Sequence, residues 1–150
     1  RIHILNTFHI AFTLFFMPAV NEVNAQCKSY AKRQCRPVLS PYVHDGKVNN
    51  AVLVPGDKAE LLLTFFSGIN YRLMVCAMPV LGDVSYKILD SDRNVIFESK
   101  KNPDKKYFDF KVGSTQQLII EIIVSEPKMK QDIVPEGCVA VLVGTKKDEK

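Results

Sequence analysis

From His44 onward, apolar and polar residues alternate along the chain with period two, the spacing that sends successive side chains to opposite faces of an extended strand. Tyr71, Leu73 and Val75 alternate with Arg72, Met74 and Cys76, Val84, Tyr86 and Ile88 with Ser85 and Lys87, and Phe108, Phe110 and Val112 with Tyr107, Asp109 and Lys111. Ala59, Leu61, Leu63 and Phe65 share one side of a further segment. Its bounds, Pro55-Gly56 and Ser67-Gly68, leave little length for a helix, and Thr64-Phe65-Phe66 favours a strand. Val48 to Val54 is an apolar strand, and Gln117 to Val124, with Glu121 as its one charge, reads as a mostly buried one. Turn residues separate these runs: His44-Asp45-Gly46, Pro55-Gly56-Asp57, and Asp90 to Asn94, which joins Val84–Leu89 to Val95-Ile96-Phe97 as a hairpin. Lys100 to Lys106 around Asn102-Pro103-Asp104 is expected to be a charged exposed loop, and the aperiodic Ser125 to Gly137, with two prolines, another loop.

Strand starts at Val48, Ala59, Tyr71, Val84, Val95, Tyr107, Gln117 and Cys138 make eight, joined by connections too short for crossover helices. The pattern therefore predicts an all-β fold, an antiparallel β-sandwich or jelly roll of about eight strands. One domain spans 26–145, with a polar tail at 146–150.

The first 25 residues differ in kind. An apolar run from Ile10 to Val20 follows Arg1, and Val23-Asn24-Ala25 has the small-residue pattern of a signal-peptidase cut, which would leave Gln26 first. As a membrane span the run is about half the roughly 20 residues required, so no stable span is expected after cleavage. Gln26, rather than a small residue, precedes Cys27, which argues against lipid attachment. Because the sequence opens on Arg1 and not on methionine, the leader is expected to extend further upstream. These features predict a secreted or periplasmic protein.

Export changes the meaning of the cysteines. Cys27, Cys35, Cys76 and Cys138 are an even set in an oxidising compartment, spaced 8, 41 and 62 residues apart with no paired C-x-x-C knuckle, so disulfides are expected and a zinc site is not. The segment 26–36 lacks Gly and Pro and reads as a short helix stopped by Pro37. On it, Cys27 and Cys35 would stand about 12 Å apart along the axis, beyond the roughly 7 Å reach of a bridge. Each should reach one of Cys76 and Cys138 and staple the helix to the sheet. A Cys76–Cys138 bridge is the arrangement expected if the segment is not helical.

Composition adds mainly exclusions. With 47% hydrophobic and 24% charged residues and a net charge of +4, the chain is an ordinary globular one, and acidic residues interrupt the basic ones nearly everywhere. Nucleic-acid binding is not expected. The one shaped cluster is Lys28, Lys32 and Arg33 with Arg36, a cationic helix side able to meet anionic headgroups or an acidic partner, though such runs are more often solvated. His44 is the one histidine after the leader and reads as a solvated turn residue; no G-x-S-x-G, H-E-x-x-H or phosphate-loop motif occurs. Asp90 with Asp92, and Asp57 with Glu60, lie at turns, where carboxylates cap backbone rather than cleave glycosides. Asp90, Asp92 and Asn94 have the alternate spacing of a calcium loop, but Val95 stands in place of its Gly and Lys101 in place of its bidentate Glu. Most aromatics fall on inward positions; Tyr107, opposite in phase to Phe108 and Phe110, is the expected exposed ring and a candidate ligand contact. No catalytic residue, metal site or cofactor is predicted.

The turn residues Val54-Pro55-Gly56-Asp57, Ser67-Gly68-Ile69-Asn70-Tyr71-Arg72-Leu73, Leu89-Asp90-Ser91-Asp92-Arg93-Asn94 and Gly137-Cys138-Val139 resemble, in their order, those of bacterial pre-peptidase C-terminal β-sandwich domains. The Cys-bearing N-terminal helix has no counterpart in that family, and the whole chain is similar to small secreted proteins of Bacteroidetes-type bacteria. The resemblance implies an exported, non-catalytic sandwich module. A binding or structural role toward a protein or glycan of the cell envelope follows as the expectation. The alternatives are a carbohydrate- or peptide-binding accessory of an extracellular hydrolase system and, more remotely, a small hydrolase.

Overall fold

The computed structural model describes residues 22–147, so 1–21, which hold most of the expected leader, lie outside the described residues. Nine strands occur among them: β1 (Val43–His44), β2 (Asn49–Leu53), β3 (Lys58–Phe65), β4 (Asn70–Ala77), β5 (Val84–Leu89), β6 (Val95–Glu98), β7 (Phe108–Lys111), β8 (Gln116–Val124) and β9 (Gly137–Lys146). The all-β antiparallel sandwich is thus borne out, with the two-residue β1 in addition to the eight expected strands. One sheet runs β1-β9-β4-β7, with β2 also on β9, beyond β1 along the same strand; the other runs β3-β8-β5-β6. Lys146 closes β9 rather than opening a tail.

Alternation decides which side chains meet between the sheets. Leu73, Val139, Val141 and Val143 of the first sheet face Phe65, Ile88, Leu118, Ile120, Ile122 and Val124 of the second, all buried. β8 is mostly buried, as expected, through Leu118, Ile120, Ile122 and Val124, while Ile119, Glu121 and Ile123 are half-buried on the outer face, which no described element covers. The inward aromatics form a continuous file, Phe97 on Phe108 at 4.7 Å, Phe108 on Phe110 at 5.2 Å, and Phe110 against Phe65 and Tyr71.

The first sheet has a second, outer apolar face, and the N-terminal segment covers it. Helix α1 runs Glu22–Tyr30, continues as a π-helical turn over Ala31–Cys35 and tightens to a 3-10 turn over Arg36–Leu39. Two boundaries differ from expectation. The chain is already helical at Glu22, the first described residue, ahead of the expected Gln26, so the expected cut after Ala25 falls within the helix, and Pro37 lies inside the final turn instead of ending the helix. Proline at the start of a turn gives up no hydrogen bond, which explains the tolerance. Cys27, Ala31, Cys35 and Leu39, four residues apart, are all buried. In an α-helix such a row drifts by about 40° per step, since four residues overshoot a turn of 3.6. The wider π turn from Ala31 to Cys35 falls short of a full rotation and offsets the drift of the α-helical step before it, and Ala31, Cys35 and Leu39 pack on Met74, Ala140 and Leu142.

Two disulfides fix this layer: Cys27–Cys138, with Cα atoms 5.3 Å apart, to β9 and Cys35–Cys76, at 6.0 Å, to the neighbouring β4. Helix cysteines pair with sheet cysteines, as the axial distance between Cys27 and Cys35 requires. Among the described residues no helix is long and apolar enough to cross a membrane.

Candidate functional site

The candidate ligand and metal residues expected from sequence fall in three separate places. Lys28, Lys32 and Arg33 are exposed on the N-terminal segment. Lys28 and Lys32, with Arg36, border a cavity of about 410 Å³ between that segment and the β1–β2 edge, and His44 stands on its far wall; Arg33 lies off it. His44 is not a solvated turn residue. Its ring is 5% exposed, its Nδ1 accepts from the Gly46 N–H at 3.3 Å, and its Nε2 lies 3.1 Å from the Lys47 carbonyl. Both nitrogens are spent on the turn, because a ring folded back over its own loop finds the nearest backbone groups first.

Tyr107 corrects a second expectation. Its ring is half-buried and covers the Arg72 guanidinium at 3.6 Å, with Tyr42 over the same group at 4.4 Å. Arg72, 7% exposed, makes a two-point pair with Asp109 (2.8 and 2.7 Å) and donates to the Ser40 carbonyl at 2.9 Å. The Asp109 carboxylate, through that hydrogen bond, holds the guanidinium still more firmly protonated. A charge on the outward face of β4 is thereby neutralised, stacked and tied to the loop after the N-terminal segment, so Tyr107 serves a structural clamp.

Asp90 caps the β5–β6 hairpin. Its Oδ1 accepts from the Asp92 and Asn94 N–H groups at 2.9 and 2.8 Å, and its Oδ2 from Asn94 Nδ2 at 3.0 Å, contacts that keep its pKa below the usual carboxylate value, the Asn94 side chain first among the causes. Asn94 thus turns its amide nitrogen, not its oxygen, toward Asp90. Among the described residues no cluster of three or more His, Cys, Asp or Glu side chains is arranged to hold a metal ion. The turn carries Arg93 at φ +65°, from where its side chain reaches Glu60 across β8.

Two features escaped the sequence reading. The first is the tip of the β8–β9 loop, where Met129 (81% exposed), Ile133 (83%) and Val134 (60%) stand in solvent between Pro127 and Pro135. Val80 joins them at this end of the sandwich, since its side chain lies at Gly137, where the loop re-enters β9. The stretch is the loop its aperiodicity predicts, and an aperiodic pattern carries no sign of which apolar residues find cover.

The second is an open flank. β7 pairs with β4 only over Asn70–Leu73, and β6 with β5 only over Lys87–Leu89, so Met74–Ala77 and Val84–Tyr86 have a strand on one side only among the described residues, β9 and β8 respectively. Between these edges lies a groove of about 650 Å³. Lys100, Lys105 and Lys106 from the β6–β7 connection line it, and Lys100 approaches Asp83 at 3.8 Å. Tyr86 lines it as well. This residue is 5% exposed, its hydroxyl has no hydrogen-bond partner among the described residues, and burial pushes its pKa up to about 12.

No protein-family model and no curated protein matches the chain. Among solved structures, it is similar to the crystal structure of Aeromonas hydrophila PliG, a periplasmic lysozyme inhibitor of g-type lysozyme. The TM-score is 0.48 with 6% sequence identity, over 71% of this chain and 89% of that one.

Proposed function

We propose that the protein is an exported, non-catalytic binding module that docks a protein partner through the end of the sandwich bearing the β8–β9 loop. The observation that carries this reading is the exposure of Met129, Ile133 and Val134 on one proline-bounded loop. Apolar side chains gathered in solvent stabilise nothing in the free chain and become favourable when a partner removes them from water. Two disulfides support folding in an oxidising compartment, and with every cysteine bridged no thiolate is left as a nucleophile.

The test is a triple variant, Met129→Ser, Ile133→Ser and Val134→Ser, compared with the natural chain in cross-linking on native envelope and culture-fluid material. Loss of one defined cross-linked species from the variant, with an unchanged thermal midpoint, is expected. Identical cross-linking by both chains would remove the loop from the interface.

A further inference from the structure

The groove on the open flank is a second site, and it asks for a particular ligand. Its two long walls are strand edges: β4 pairs with β9 along its whole length but loses β7 after Leu73, and β5 pairs with β8 while β6 reaches only to Lys87. In the antiparallel register Met78 donates to Cys138, so Cys76 and Met74 turn their backbone groups to β9, and Val75 and Ala77 turn theirs to the groove. The Ala77 carbonyl is taken by the Tyr30 hydroxyl at 2.9 Å. The Val75 N–H and carbonyl and the Ala77 N–H therefore present the pattern that an added strand completes.

The rim supplies the sign of the charge. Lys100, Lys105 and Lys106 are all exposed, and Asp83 is the one acidic side chain lining the groove, beside Lys100. Such a surplus of cations next to free amide donors favours an anionic occupant. Beneath the rim the buried Tyr86 hydroxyl lacks an acceptor, a deficit that a ligand carboxylate or carbonyl would make good.

We propose that this groove binds an extended acidic peptide segment of a partner protein, which adds beside Met74–Ala77 as a strand of about four residues, roughly 13 Å at the usual rise per residue. Its backbone completes the Val75 and Ala77 hydrogen bonds, its acidic side chains meet Lys105 and Lys106, and one of its acceptors takes the Tyr86 hydroxyl. The site does not depend on the loop assignment above, because it uses none of the residues of the loop tip.

The probe is a capped hexapeptide alternating Val and Glu, titrated into the isotope-labelled full chain with amide shifts read by NMR. Saturable shifts at Val75, Ala77 and Tyr86 are expected. Apparent affinity should fall at least tenfold in Lys105→Glu with Lys106→Glu, and severalfold in Tyr86→Phe, a variant that does not lower the thermal midpoint. A peptide with N-methylated alternate amides keeps the charges and removes the strand's donors, and it should bind at least tenfold more weakly. Equal binding of the N-methylated peptide, stronger binding of a tetragalacturonate oligosaccharide, or equal binding of a Val–Lys peptide would overturn the assignment. Shifts confined to the β8–β9 loop would also refute it while leaving the loop reading intact.

Discussion

Arg72 shows how one side chain can carry a connection that no strand provides. It is covered by Tyr107 and Tyr42, paired at two points with Asp109, and bonded to the loop that leads from the N-terminal segment into β1. Lysine cannot reproduce the planar fork or the stacking. Arg72→Lys should cost about 2–3 kcal/mol, discounted because Asp109 is partly exposed, and urea unfolding followed by circular dichroism would measure it. Tyr86 makes the opposite prediction. Its unpaired hydroxyl stabilises nothing at neutral pH, so Tyr86→Phe should be neutral or raise stability by up to about 1 kcal/mol. With the folded pKa raised to about 12 from 10.0, the unfolded chain loses this proton first as pH rises. Stability of the natural chain is therefore fully present below pH 10 and declines toward pH 12, and the gap between the two proteins should widen over that interval. Neither role is visible in the alternation of Arg72 or Tyr86 with its neighbours, which gives a face but not the groups that the face meets.

At the scale of elements, the N-terminal segment behaves as a third layer fastened by chemistry rather than by length. The Cys27–Cys138 bridge links residues 111 apart and Cys35–Cys76 links residues 41 apart; loop-closure entropy gives about 5 and about 4 kcal/mol for either bridge formed first, and less for the second because the loops overlap. Replacing Cys27 and Cys138 together by serine should lower the unfolding free energy measured in urea by an amount approaching the larger figure. Non-reducing peptide mapping should recover the two helix-to-strand pairs, Cys27–Cys138 and Cys35–Cys76, and no Cys27–Cys35 peptide. The contact also depends on small residues, since Ala31 and Ala140 are both fully buried where the segment meets β9. Ala140→Leu should cost about 1–3 kcal/mol by forcing the layers apart, a loss that thermal unfolding would register. The second sheet is held on its bare face by charge. Arg93, donating to Glu60 on β3 and lying 3.9 Å from Glu121 on β8, offsets two carboxylates placed directly opposite each other.

Across the whole molecule the two faces of the sandwich are treated unequally, and acid exposes the difference. Glu60, held by the Arg93 hydrogen bond, Asp90, held by Asn94, and Glu98, held by Lys101, all have pKa values below their ordinary 4.5, 3.8 and 4.5. Groups whose folded pKa is depressed contribute stability above the unfolded value and lose it as pH falls through the folded one. The urea midpoint should thus hold steady down to about pH 5 and decline below it, more gently in Glu60→Gln, with salt weakening the effect because these groups are exposed. The proposed ligand contacts lie elsewhere, on one flank and one end, where β6 and β7 stop short and where the β8–β9 loop leaves the body.

The sequence by itself determined the sandwich, its strand positions, the inward aromatics and the rule that helix cysteines pair with sheet cysteines. Period-two alternation, turn chemistry and the rise of a helix are local and act over a few residues. Tertiary structure decided the rest: which sheet cysteine each helix cysteine meets, that His44 and Tyr107 turn inward, that Asn94 faces Asp90 with its nitrogen, and that a groove opens where two edge strands end early. Those outcomes depend on groups far apart in sequence arriving at one place. Local periodicity carries no term for that meeting, which is settled by the packing of two sheets and a stapled third layer.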